Sequence, residues 1–181
     1  MAASQSRSEL LGFGLISALV SSAILAVLLA AALPSWHSMV NRQRLKLLAQ
    51  EVKDDLLLAR SESRRLNAIV RMAFHSTELG TCYVVYRGPP GDCQCKLMQA
   101  PVCGDASNWI KHHSIASGAS QLVQSNVSSL NFDPRQGLVS STGRVSILAS
   151  QTQKGLQHVV SITGRVRSCS TDPAIEGYAS C

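Results

Sequence analysis

The stretch FGLISALVSSAILAVLLAAAL, from Phe13 to Leu33, decides how the rest of the sequence is read. As a helix it rises about 32 Å, roughly the thickness of a bilayer's hydrocarbon core, so one membrane span is expected over 13–33. The charge-free interval is longer still, with no Asp, Glu, Lys or Arg from Leu10 to Asn41. A buried helix of a small soluble domain rarely runs so far without a charge. A cleaved secretory signal is the other alternative, since Arg7 precedes the stretch and Ala30-Ala31-Ala32 offers small residues near its end. Its apolar core, however, would run to only about 15 residues. Ser17, Ser21 and Ser22 are the hydroxyl residues inside the stretch, and a hydroxyl in lipid can return its hydrogen bond to the helix carbonyls.

Outside this segment the chain is a different material. The 181 residues carry 17 Lys+Arg against 11 Asp+Glu, a formal charge of +6, with 45% hydrophobic and only 4% aromatic residues. That length suits one modest domain with an appendage and excludes a large multidomain enzyme. From Trp36 to about Met72 the sequence is rich in Leu, Arg, Lys, Glu, Gln and Ala, and no Gly or Pro interrupts it, so it reads as helix. Leu45, Leu48, Val52, Leu56, Ala59, Leu66 and Val70 form an apolar stripe at helical spacing beside charged residues, so one face is expected to pack. Joined to the span, this makes one long helix, expected to bend at Pro34, where the backbone loses a donor.

Beyond Phe74 the pattern changes to short β-prone pieces: Thr81–Tyr86, Val139-Ser140, Arg144–Ala149, Leu156–Ile162 and Arg165–Ser168, separated by turn residues. They predict antiparallel β structure with a meander towards residue 168. The fold class is therefore α+β, a long helix packed on a β-rich head over 74–181. All six cysteines, Cys82, Cys93, Cys95, Cys103, Cys169 and Cys181, fall in the head. That distribution suits disulfides made in an oxidising compartment, and six cysteines leave 15 pairings open. Arg87 to Asp105, with Gly-Pro-Pro-Gly and three of the cysteines, reads as a loop that covalent bonds hold in shape. Orientation is contested, because Arg42, Arg44 and Lys46 after the span favour a cytoplasmic head while the cysteines favour the opposite side.

Little of the sequence points to chemistry. Cys93-Gln94-Cys95 is tighter than the usual zinc spacing, so disulfides are expected and no metal. His112 and His113 read as neighbours on a surface loop, and there is no nucleophile motif, metal-binding His-Glu-x-x-His or phosphate-binding glycine loop. No cofactor and no enzymatic activity are expected. Arg165 and Arg167, two apart on a β piece, place both guanidinium groups on one face, and Arg144 in the matching Gly143-Arg144-Val145 context is expected nearby. Such a cluster suits salt-dependent, sequence-neutral contacts to DNA phosphates.

Gly12-Phe13-Gly14-Leu15-Ile16, followed by the apolar helix and Leu33-Pro34, resembles the class III signal and N-terminal helix of type IV pilins and type II secretion pseudopilins. Leu57-Leu58-Ala59-Arg60-Ser61-Glu62-Ser63, the stretch Asn131–Gly137 and the closing Gly164–Cys169 extend the resemblance to the GspH/FimT group of minor pseudopilins and minor pilins. The resemblance implies a leader over 1–12, cleavage after Gly12 by a prepilin peptidase, and N-methylation of Phe13. The segments that follow are a span over 13–33, an amphipathic continuation over 34–73 and a periplasmic head over 74–181. It implies a single pass through the bacterial inner membrane with a cytoplasmic N-terminus. The implied partners are other pilins or pseudopilins and an inner-membrane assembly platform, and the role is that of a filament or tip subunit. In the FimT-like branch the Gly-Arg-x-Arg element is associated with DNA capture, which maps to Arg165 and Arg167. Ser17 stands where the family usually has a glutamate that pairs with a neighbour's N-terminal amine, and a neutral hydroxyl supplies no such attraction. That departure motivates a third reading, a membrane-anchored periplasmic domain outside any filament.

Overall fold

The computed structural model describes residues 8–173 and 175–181; within the long helix, the side chains of 8–13 and 31–35 lie outside the description. One α-helix, α1, spans Ser8–Leu66, and ten strands follow: β1 Val70–Thr77, β2 Gly80–Arg87, β3 Cys93–Gln94, β4 Val102–Cys103, β5 Trp109–Ala116, β6 Gln121–Ser125, β7 Ser129–Phe132, β8 Gly143–Ala149, β9 Gly155–Val160 and β10 Val166–Ser170. The chain divides into two compact units, Met1–Asn41 and Arg42–Cys181.

In the first unit the side chains from Gly14 to Ala30 are exposed, including Leu15, Ile16, Leu19, Val20, Ile24, Leu25, Val27, Leu28 and Leu29. Ser21 and Ser22 return their hydroxyls to the carbonyls of Ser17 and Leu19 at 2.8 and 2.9 Å. That leaves no side-chain donor unspent at those two positions. Among the described residues, no helix is long and apolar enough to cross a membrane. Helix α1 runs unbroken through Pro34.

In the second unit, α1 supplies the expected stripe: Leu45, Ala49, Val52, Leu56 and Ala59 are buried, and Leu48 packs against them. Leu66 packs against the same core, but the helix ends there, earlier than the sequence predicts. Asn67 adopts φ +47, its N–H reaches the Arg64 carbonyl, and the Ala68 N–H reaches the Ser63 carbonyl. This left-handed stop satisfies the Ser63 and Arg64 carbonyls, two of the last four of the helix. Val70 therefore belongs to β1 and not to the helix, although it still joins the core.

Two four-stranded antiparallel sheets, β5-β2-β1-β7 and β10-β9-β8-β6, contribute to this core. Met72, Tyr83, Val85, Leu130 and Phe132 come from the first sheet, and Val123, Val145, Ile147, Leu156 and Val160 from the second. The head is antiparallel as the sequence predicts, but Val139 makes only an isolated bridge to Phe132, and β1, β3, β4, β5, β6 and β7 lie outside the β-prone pieces of the sequence.

The other face of the first sheet is covered by the 88–105 loop. Cys82–Cys95 ties the loop to β2, and Cys93–Cys103 closes the β3–β4 ribbon. Beneath it Val84, Tyr86 and Cys93 form a second small core. Arg71, also buried on β1, donates Nε to the Gly88 carbonyl at 2.8 Å. Cys169–Cys181 fastens residues 179–181 beside the end of β10, where the Ser170 N–H donates to the Ala179 carbonyl and its carbonyl accepts from the Cys181 N–H.

Two polar anchors fix the helix to the sheets. His158 on β9 is buried; its Nε2 donates to the Ala49 carbonyl at 2.7 Å, and its Nδ1 accepts from the Ser168 hydroxyl at 2.9 Å. Burial lowers the imidazole pKa despite the Ala49 bond, and the charge of Lys53 lowers it further. The ring is thus held neutral. The second anchor is Asp55, 2% exposed, which accepts from the Tyr83 hydroxyl at 2.7 Å and pairs with Lys111 at 2.7 Å. Glu51 pairs with Lys111 at 3.4 Å and with His113 at 3.2 Å, and the His113 ring stacks on Tyr83.

Candidate functional site

The cationic surface of the second sheet is built by its register. Val159 on β9 stands opposite Arg144 on β8 and opposite Arg167 on β10. The three residues therefore form one row across three strands, and all three are exposed. Two strand spacings separate the arginines, about 10 Å between backbones. Their neighbours Val145, Val160 and Ser168 point to the other face, where Val145 and Val160 are buried in the core and Ser168 meets His158. The alternation that packs the core is thus what turns the arginines outward. Arg165, in the turn before β10, is also exposed. The structure brings Arg144 and Arg167 into one row and leaves Arg165 two residues along the chain, about 7 Å further.

The turn carrying Arg165 closes on α1. Gly164 has φ +71, and a Cβ there would meet the Gly137 carbonyl and lie 2.9 Å from Arg60 Nε. Gly137 has φ +63 in the turn that follows Asp133, whose carboxylate accepts from the Arg135 N–H at 2.8 Å. Arg60 donates Nη1 to the Gly164 carbonyl at 3.1 Å and Nη2 to the Thr163 carbonyl at 3.0 Å. In the sequence Arg60 belongs to the Leu57–Ser63 phrase and to the charged residues beside the stripe, with nothing local to mark a distant partner beyond its place four residues after Leu56.

The other residues singled out from sequence fall elsewhere. Cys82, Cys93, Cys95, Cys103, Cys169 and Cys181 pair as described above, and among the described residues no cysteine is free. His112 and His113 are a correction: they lie on β5, with His113 towards Glu51 on α1 and His112 towards the Lys96 carbonyl of the disulfide-held loop. Alternation sends neighbouring side chains to opposite faces of a strand, which a loop reading cannot supply. Ser17 is exposed on α1. The side chains of Gly12, Phe13 and Pro34 lie outside the described residues.

The family profile described as "Type II transport protein GspH" matches residues 48–164, more than half of the chain. The chain belongs to the GspH family. The matched range runs from the buried stripe of α1 to Gly164 and thus ends at the turn just before Arg165. In the solved structures, this GspH-family chain is similar to the type IV minor pilin FimU of Pseudomonas aeruginosa strain PAO1, with a TM-score of 0.53 and 18% identity over 77% of this chain and 96% of that one. The likeness shows the fold: a helix followed by antiparallel sheets, as in the pilin FimU. No curated protein sequence matches the chain.

Proposed function

We propose that the chain is a minor pilin or pseudopilin, a subunit that works by incorporation into a filament or its tip, in type II secretion or in pilus assembly. The observation that carries this reading is the combination of a GspH-family head with an uninterrupted helix whose described first part exposes an apolar, charge-free surface. Such a surface needs lipid or neighbouring helices around it. In this reading residues 13–33 cross the inner membrane and the head folds in the periplasm, where its three disulfides form. A prepilin peptidase cuts after Gly12, Phe13 becomes the methylated N-terminus, and the assembly platform passes the subunit to other pilins. Ser17 offers no charge to a neighbour's amine, which suits a position where that pairing is not used. Intact-mass measurement of the membrane-purified chain tests the reading, with a mature N-terminus at Phe13 expected.

A second reading is favoured by one observation, the Arg144–Val159–Arg167 row with Arg165 beside it. Exposed guanidinium groups spaced along one row suit the phosphates of a sequence-neutral target, here DNA. The full chain in detergent is expected to bind a short DNA duplex in a salt-dependent manner. Arg165→Ala/Arg167→Ala should weaken that binding and reduce the slope of log affinity against log salt by about two. An unchanged slope removes DNA from the account.

A further inference from the structure

We infer that Arg60 on helix α1 is a positioning residue for the basic turn: it shapes the surface through which Arg165 meets a phosphate without touching the phosphate itself. The inference rests on the DNA-binding reading above. What carries it is where the carbonyls of residues 161–165 go. The Ser161 carbonyl accepts from the Gly164 N–H at 2.8 Å, and the Ile162 carbonyl from the Val139 N–H at 2.8 Å. The Thr163 and Gly164 carbonyls accept from Arg60 at 3.0 and 3.1 Å, and the Arg165 carbonyl from the Ser161 N–H at 3.0 Å.

All five consecutive carbonyls are therefore engaged by protein donors. A carbonyl left facing solvent beside Arg165 would repel an approaching phosphate and compete for the guanidinium; here the oxygens are spent within the fold. Two of the five bonds come from one planar guanidinium. A lysine keeps the charge but has no fork with which to hold two adjacent carbonyls in fixed directions.

The packing shows how tightly the turn is set against Arg60. Gly164 is buried, and its missing side chain leaves the room that Arg60 Nε and the Gly137 carbonyl occupy. Arg60 Nε is itself buried with no hydrogen-bond partner. Its two terminal nitrogens alone hold the turn. Arg60 thus acts through the backbone at 163–164, and its effect on DNA should vanish once Arg165 is gone.

A double-mutant cycle on the full chain in detergent, read by binding to a short DNA duplex, tests this. Arg60→Lys is expected to weaken binding several-fold in the otherwise unchanged chain and to have little further effect when Arg165 is already alanine. Hydrogen exchange at the Gly164 amide, which donates to Ser161, should accelerate in Arg60→Lys with or without DNA. Arg60→Gln replaces it if the lysine variant does not fold. Equal losses in both backgrounds would make Arg60 an independent contact and overturn the inference, as would unaltered exchange at Gly164. If Arg165→Ala/Arg167→Ala binds DNA like the unmodified chain, the DNA reading fails, and this inference falls with it for a reason the cycle separates from its own.

Discussion

Reducing the three disulfides is expected to remove most of the head's stability. Cys82–Cys95, Cys93–Cys103 and Cys169–Cys181 close loops with sequence separations of 13, 10 and 12. By loop-closure entropy each restricts the unfolded chain by nearly 3 kcal/mol at about 25 °C. The first two overlap, so their contributions are less than additive, and roughly 6–8 kcal/mol is the expected total. A domain of ordinary stability has about 5–15 kcal/mol in all. The loss should be felt locally as well, because Cys82–Cys95 and Cys93–Cys103 hold the cover over Val84 and Tyr86. Thermal unfolding of the full chain in detergent, followed by far-ultraviolet circular dichroism, should show Tm falling by about 20 °C or more in reductant. A transition that reductant does not move would show that the head stands on its apolar core alone.

The second large effect is expected at Asp55. Replacing it with alanine leaves the buried Tyr83 hydroxyl without its acceptor and removes one carboxylate from Lys111. Tyr83 is already driven to hold its proton, first by burial and then by the Asp55 bond and charge, which raises its pKa above the usual phenol range. The hydroxyl therefore cannot escape the loss by ionising at neutral pH. Lys111 is partly exposed and can return to water or to Glu51, which reduces the cost below that of a fully buried broken pair. Asp55→Ala should destabilise the head by about 3 kcal/mol. Asp55→Asn, which keeps an acceptor for Tyr83, should recover part of it. Denaturant unfolding of the two variants checks this; equal midpoints for Asp55→Ala and the unmodified chain would contradict the anchor.

Asp55 also illustrates what the sequence made legible and what it did not. The stripe of Leu45, Val52, Leu56 and Ala59 could be read because each position faces the same packed surface at helical spacing. Asp55 sits three after Val52 and four before Ala59, inside that stripe, and its reason for being there lies on β2 and β5, far along the chain. The same long-range logic hid β5. Its Lys111 and His113 are polar residues on the helix-facing side, and only Glu51 and Asp55 make that position favourable. The first half of β1 was hidden for another reason. Val70 stands four residues after Leu66, in step with the stripe, and no Gly or Pro separates them, so the segment reads as helix continuing past the left-handed stop at Asn67. By contrast β8 from Gly143 to Ile147 and β9 from Leu156 to Val160 alternate between the core and the open face.

The same alternation made part of the candidate site legible. Arg165 and Arg167 could be paired from their spacing, and Arg144 from its matching context. Val159 between the arginines required the register. Arg60 required the tertiary contact of α1 with the 161–165 turn.

Assembly as a processed pilin-like subunit is decided by the N-terminus of the chain isolated from its own membrane. Intact mass with fragmentation of that material should place the first residue at Phe13 and find it carrying one added methyl group. The +6 charge would be retained, because the removed Arg7 and Glu9 cancel. A mature chain that begins at any other residue, or one that keeps residues 1–12, would contradict assembly by this route.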